Sequence, residues 1–336
     1  MKLEDIGFYT LSEIRARTSS TISPLQRCEL LITDRCNFKC PYCRGTIHKG
    51  DMNPFIAMKI LKLWVNEGLV NVRFTGGEPT LYSSLGELVY YCKENKVKRI
   101  ALSTNGTADL DCYKHLISCG VNDFSISLDG GCCSTGNIMA GGIHGLWEKV
   151  VENIKYLSQL TYVTVGMVFT ELNVNECVES VIFADTLGVA DIRIIPSAQY
   201  NKALNMLVGL PEEIINKHPI LKYRIQNIKN GIHVRGIRET DTNRCPLVLD
   251  DIAIGGKYHY PCVIYMREMG KPIGVIGENT RKEREIWFNT HDTKLDKICE
   301  NNCLDVCREY NNKWMYYHKA VMNLETPKEE VKQVVY

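Results

Sequence analysis

The stretch Cys28-Glu-Leu-Leu-Ile-Thr-Asp-Arg-Cys36-Asn-Phe-Lys-Cys40-Pro-Tyr-Cys43 decides how the rest of the chain is read. Its opening run, 28–33, is short, apolar and β-branched and predicts a buried strand. Its closing run sets three thiols close enough together for one loop to wrap a metal cluster. A closed structural site requires four ligands, so three on a four-iron cluster leave one iron open, as a catalytic centre needs. A zinc ion that borrows a fourth donor such as His48 is the competing reading.

Outward from this stretch, strand-like runs recur at 71–75, 98–103, 123–128, 162–169 and 191–195, and amphipathic helical patterns fall at 54–68, 84–95, 109–119, 145–159 and 174–187. The alternation predicts repeated βα units, and right-handed crossovers then give a curved or barrel-like parallel sheet. Ligands of such sheets gather where the strands end and the βα loops converge. That rim carries Thr33-Asp34-Arg35-Cys36, then Gly76-Gly77-Glu78-Pro79, then Thr104-Asn105-Gly106, then Asp129-Gly130-Gly131-Cys132-Cys133.

With 336 residues, 45% of them hydrophobic, the chain can bury a large core. Forty basic side chains against thirty-nine acidic ones leave a formal charge of +1, which argues for neither nucleic acid nor a membrane surface as partner. The first thirty residues lack the apolar run of a signal peptide, and no window reaches the roughly 18 continuous apolar residues of a span, so the cytoplasm is the expected compartment. Fifteen cysteines in a reducing compartment point to metal ligation or thiol chemistry. Cys28, Cys92, Cys112, Cys119 and Cys177 fall in helix-like or strand-like runs and are expected to pack as small hydrophobes. The expected organisation is an N-terminal extension 1–27, a barrel 28–200, a less regular bridge 201–244 with Pro211 and Pro219, a cysteine-rich unit 245–324 and a short charged tail 325–336.

The Cys-x3-Cys-x2-Cys spacing of Cys36, Cys40 and Cys43, with Tyr42 just before the third, resembles the signature of the radical S-adenosylmethionine (SAM) superfamily. The resemblance implies a partial (β/α)6 TIM-like barrel and a 4Fe-4S cluster whose open iron chelates SAM and whose electron cleaves it to a 5′-deoxyadenosyl radical. Gly76, Gly77, Glu78 and Pro79 match that family's GGE motif, where backbone groups meet the SAM amino group and glycine permits close approach. Ser103, Thr104 and Asn105, and Ser127 and Asp129, resemble positions that bind the SAM carboxylate or ribose, and they are equally good turn residues. Arg193 and Pro196 fit the segment that flanks adenine. An electron donor such as flavodoxin or ferredoxin is implied as a partner.

Cys245, Cys262, Cys299, Cys303 and Cys307 resemble the auxiliary-cluster extensions of that superfamily known as SPASM and twitch domains. Five cysteines imply one second 4Fe-4S cluster, with one thiol to spare or one iron open; the spacing Gly256-x5-Cys262 is one residue longer than the SPASM pattern. A structural zinc ribbon is the alternative. Cys132 and Cys133 are candidate hydrogen-atom donors on the rim, and the Gly-rich loop Met139 to His144 is a candidate cover. His48, His144 and His259 are candidates for acid-base work or for packing, and the run Trp314 to His318 is expected to contact the barrel. Together these readings predict hydrogen abstraction from an unreactive C–H bond, leading to oxidation, epimerisation or crosslinking of a peptide or a small sugar- or aminocyclitol-like substrate. The related molybdopterin-precursor cyclase carries a Gly-Gly C-terminus, whereas this chain ends in Val335-Tyr336. A non-enzymatic zinc- or iron-sulfur-binding interaction module is the alternative from another class.

Overall fold

A computed structural model describes residues 9–45, 48–198, 200 and 204–318. The expected tail 325–336 lies outside them. Six strands run in chain order across one sheet: β1 (Arg27–Thr33), β2 (Asn71–Gly76), β3 (Arg99–Thr104), β4 (Asp123–Ser127), β5 (Tyr162–Phe169) and β6 (Asp191–Pro196). Each is parallel to the next. The mixed α/β fold with its parallel sheet is the one the alternating pattern predicts.

The period of two along each strand divides the sheet into an apolar and a polar face. Leu30 and Ile32, Val72 and Phe74, Ile100 and Leu102, and Phe124 and Ile126 lie in the main core. The opposite face is charged at the start of the strands, where Asp123 takes Arg99 at 2.8 Å and Arg73 at 3.2 Å, all three nearly out of solvent. Removing one partner from a buried set of this kind costs about 3–5 kcal/mol. Toward the strand ends the same face carries Thr75, Ser103 and Ser127, so the fold delivers small polar groups to the rim.

The helix Pro54–Asn66 shows why the crossovers form. Asn53 caps it by accepting from the amides of Phe55 at 2.9 Å and Ile56 at 3.4 Å, and Pro54 occupies the first turn. Ala57, Ile60, Leu61 and Trp64 recur at helical spacing and are buried against the sheet. Truncating Leu61 to alanine is expected to cost about 2–5 kcal/mol. Of the five scattered cysteines, Cys28, Cys92, Cys119 and Cys177 are buried in this core and Cys112 packs against it.

Several local readings change. The segment after Cys132 is not one loop: the helix Cys133–Met139 forms within it. The bridge is more regular than expected, because Pro211 and Pro219 start the helices Glu212–Lys217 and Pro219–Lys229 instead of breaking them. The sheet also continues past six strands. β7 (Asp251–Gly255) lies parallel to β1, and β8 (Tyr258–Tyr260) and β9 (Gly274–Val275) follow antiparallel. Trp314 sits on the last described helix, Asp305–His318, and packs with Ala16, Leu247 and Phe288, its indole N–H donating to the Ser19 carbonyl at 2.9 Å. Its contact is therefore with the N-terminal segment and the cysteine-rich region, not with the barrel helices.

Candidate active site

The cysteine loop leaves β1 at Thr33, whose hydroxyl donates to Asp51 at 2.6 Å, and Arg35 clamps the same carboxylate at 2.8 Å. A tight turn follows, with the Cys43 amide donating to the Cys40 carbonyl at 3.0 Å. Backbone N–H groups point at the sulfurs: Phe38 at Cys36 and Gly45 at Cys43, both at 3.4 Å. Such N–H···S bonds suit thiolates that ligate an iron-sulfur cluster. Burial pushes the Cys40 thiol up to about 12 and also raises Cys36, so these sulfurs stay protonated until a metal displaces the proton. Two longer contacts tie the loop to the barrel. The Tyr42 hydroxyl donates to Asp129 at 2.6 Å, and the Lys39 amide donates to the Ala140 carbonyl at 3.0 Å.

A cavity of about 230 Å³ opens over this loop, lined by Cys36, Cys40 and Cys43 together with Gly76, Gly77, Ser103, Asn105, Ser127 and Asp129. The sequence-predicted set thus largely converges. Asn105 joins the cysteine loop directly, its amide donating to Asn37 at 2.7 Å and lying 3.9 Å from the Cys36 sulfur. Asp129 accepts from both the Val168 amide, at 2.7 Å, and Tyr42, and burial lifts it to about 6.

Glu78, Pro79, Arg193, Cys132 and Cys133 are not among the lining residues. Glu78 is fully buried and braces the rim, accepting from Thr80, from the Thr104 hydroxyl at 2.7 Å and from the Asn105 amide at 2.7 Å. Arg193 points to Ser125 at 3.2 Å, and burial beside Arg73 and Arg224 lowers it to about 10. Cys132 is exposed and bonds Ser134 at 3.1 Å; Cys133 takes an N–H from Asn137 at 3.2 Å. The glycines of the GGE stretch are also required by the chain itself. A Cβ on Gly76 would sit 2.2 Å from the Thr33 carbonyl oxygen, and one on Gly77 would sit 2.2 Å from that of Arg35. Their first duty is to let the cysteine loop pass.

Sequence reasoning missed Arg267, which ends the short helix Val263–Arg267 yet lines the cavity. Its guanidinium donates to the Gly76 carbonyl at 3.0 Å and the Thr75 hydroxyl at 3.2 Å. No local motif marks it, since its partners lie 191 and 192 residues away. The far wall comes from Asn137, Met139, Ile143 and Trp147, so the Met139 to His144 loop expected as a cover contributes Met139 and Ile143 to it. Of the candidate histidines, His144 lies 3.3 Å from Asn137, and His48 meets the Tyr260 hydroxyl at 2.9 Å. His259 is buried between Glu283, at 2.9 Å, and Arg284, at 3.3 Å.

The second cysteine group also converges. Cys245, Cys262, Cys299, Cys303 and Cys307 all line one cavity of about 40 Å³. Burial pushes Cys262 up to about 12 and the others upward too, so the cavity holds five neutral thiols that are poor acids without a metal. The Tyr265 amide points at the Cys262 sulfur at 3.4 Å, and Asn311 donates to Cys245 at 3.6 Å. Arg284 pins the two loops, donating to the carbonyls of Val248 at 2.8 Å and Tyr260 at 2.9 Å. Among the described residues, neither cysteine group brings three sulfurs within the 4.8 Å spacing of donors around a single ion.

Residues 30–184 match the family profile described as the Radical SAM superfamily. Over that stretch the chain matches a radical SAM domain, a family that implies SAM and a 4Fe-4S cluster, and its cysteine-rich C-terminal region fits an auxiliary domain. Relatives named GTP 3′,8-cyclase include one from Staphylococcus saprophyticus, 28% identical across 53% of this chain and 51% of its own length. Another, from Helicobacter pylori, is 27% identical across 81% of this chain and 90% of its own. The chain spans about half the length of the staphylococcal relatives it matches. Among solved structures, Streptococcus suis SuiB bound to its precursor peptide SuiA aligns with a TM-score of 0.59 at 16% identity, covering 84% of this chain and 68% of that one. A second, anSMEcpe with bound AdoMet, aligns at 0.56 and 16% identity, covering 89% and 94%. These likenesses establish the fold. No described helix is long and apolar enough to cross a membrane.

Proposed function

We propose that this chain is a radical SAM enzyme with one auxiliary 4Fe-4S cluster that takes a hydrogen atom from an unreactive C–H bond of a peptide or a small sugar- or aminocyclitol-like substrate. The observation that carries the reading is the sharing of one cavity by Cys36, Cys40 and Cys43 with Gly76, Gly77, Ser103, Asn105, Ser127 and Asp129. When bound, the cluster and SAM supply one electron and a 5′-deoxyadenosyl radical. The chain supplies position and exclusion of water. Ser103, Asn105 and Ser127 offer hydroxyl and amide partners for the carboxylate and ribose of SAM, and Met139, Ile143 and Trp147 close the wall. Four of the five C-terminal cysteines ligate the auxiliary cluster. Neither Cys132 nor Cys133 lines the cavity, which favours net oxidation over a thiol-mediated return of hydrogen. The cytoplasm, with a flavodoxin or ferredoxin as electron source, suits this chemistry.

GTP cyclisation is a second reading, favoured by the match to the Helicobacter pylori relative over 90% of its length. The charge of the cavity argues against it. Arg267 is the one lysine or arginine among its described lining residues, beside Asp34 and Asp129, whereas a triphosphate calls for several cations. The test is anaerobic reconstitution followed by metal and product analysis. About eight irons per chain support two clusters, about four remove the auxiliary one, and zinc without iron returns the chain to a binding module. Turnover of GTP to a cyclised nucleotide would replace the peptide or small-molecule reading.

A further inference from the structure

Five thiols meet at the C-terminal cavity, and a four-iron cube needs four. Cys299 differs from the rest in its neighbours. Its sulfur, a ring nitrogen of His291 and a carboxylate oxygen of Asp296 all lie within 4.8 Å of one another, and among the described residues this is the one group of three such donors at single-ion spacing. We propose that His291, Asp296 and Cys299 form a separate binding site for a zinc-like divalent cation, leaving Cys245, Cys262, Cys303 and Cys307 as the ligands of the auxiliary cluster. The assignment rests on the auxiliary-cluster reading above and says which thiol that cluster leaves over.

The geometry around His291 supports a metal rather than a hydrogen bond. Its Nε2 lies 3.2 Å from Asp296 Oδ2, yet it is buried and makes no hydrogen bond there. Two light donors about 2.05 Å from a tetrahedral zinc stand about 3.3 Å apart, so the observed separation is that of an edge of the coordination sphere. The thiolate needs only to close to about 3.6 Å from the nitrogen, within the reach of a side-chain rotation.

The surroundings hold these donors in place, as outer-shell partners of metal ligands do. The Tyr265 hydroxyl donates to Asp296 Oδ2 at 2.9 Å, while Oδ1 accepts from the amides of Ile298 at 2.8 Å and Cys299 at 3.1 Å. The His291 ring stacks on Trp287 with centroids 4.1 Å apart. Imidazole, carboxylate and thiolate are a donor set that favours zinc, and a fourth ligand would complete a tetrahedral sphere.

The experiment is zinc, iron and sulfide analysis of the full chain, reconstituted anaerobically and then given one equivalent of Zn²⁺. The wild type is expected to hold about one zinc beside about eight irons. His291→Ala and Cys299→Ser are each expected to lose zinc at least fivefold with iron unchanged, whereas Cys303→Ser loses about four irons. Zinc K-edge absorption on the wild type, which needs no variant to fold, is expected to show one sulfur among nitrogen and oxygen scatterers. Zinc retained in His291→Ala, a sulfur-free edge, or about four irons lost in Cys299→Ser overturns the proposal. A wild type with zinc but only about four irons leaves the cation site standing and removes the auxiliary cluster instead.

Discussion

The Tyr42 hydroxyl and the Asp129 carboxylate, 87 residues apart in the chain, meet at 2.6 Å and tie the cysteine loop to the end of β4. The loop that would hold the cluster is therefore anchored on the strand end that lines the cavity. Removing a hydrogen bond to a charged group costs about 1.5–3 kcal/mol. Tyr42→Phe is accordingly expected to release iron from the first cluster about tenfold faster or more, read as the rate of transfer to a colorimetric chelator. An unchanged rate would mean the loop is held elsewhere.

Glu78 bears on stability more than on binding. Its buried carboxylate accepts from the amide and hydroxyl of Thr80, the Thr104 hydroxyl and the Asn105 amide. Each buried donor left without a partner costs about 1–3 kcal/mol. Glu78→Ala should lower the unfolding midpoint by at least about 5 °C, with Glu78→Gln between it and the wild type, since the amide keeps one accepting oxygen. Differential scanning calorimetry measures both.

Arg267 reaches from the cysteine-rich region to the Gly76 carbonyl and the Thr75 hydroxyl. Its loss should loosen the glycine stretch without touching a cysteine. Arg267→Met is expected to retain about four irons in the first cluster while weakening SAM binding about tenfold, which isothermal titration resolves. Equal loss of iron and SAM would assign Arg267 to overall folding.

The pH response of the cysteine-rich region is set in part by His259. Burial and the Arg284 cation lower it from 6.5 to about 4, and Arg284 donating to Nδ1 fixes the proton on Nε2, where Glu283 accepts it. The unfolded chain takes up a proton near pH 6.5, and the folded chain does so only near 4. Stability from this group is therefore full above 6.5 and is lost as the pH falls toward 4, with a slope of at most about 1.4 kcal/mol per pH unit. His259→Gln should flatten that part of the curve in urea unfolding followed through tryptophan fluorescence.

Local patterns made the barrel and most of the first site legible. β1 through β6 were readable as short β-branched runs set between longer amphipathic stretches. The Cys36 loop and the glycines after β2 were readable because their spacing is short. What escaped depends on contacts far apart in sequence. Arg267 and β7 join residues about two hundred positions away, and the helix Cys133–Met139 was hidden because Gly136 lies in its middle. Gly136 is there to admit Trp147, whose ring a Cβ would meet at 2.1 Å. Pro211 and Pro219 misled for a related reason, since a proline marks a helix start as readily as a break.

Reductive cleavage of SAM by protein whose first cluster is intact tests radical initiation most directly. Anaerobic wild-type protein given dithionite and SAM is expected to form 5′-deoxyadenosine, and a variant with Cys36, Cys40 and Cys43 all changed to alanine is expected to form none. Wild-type protein with its irons in place that yields no 5′-deoxyadenosine, or a triple variant that yields as much as the wild type, would contradict it.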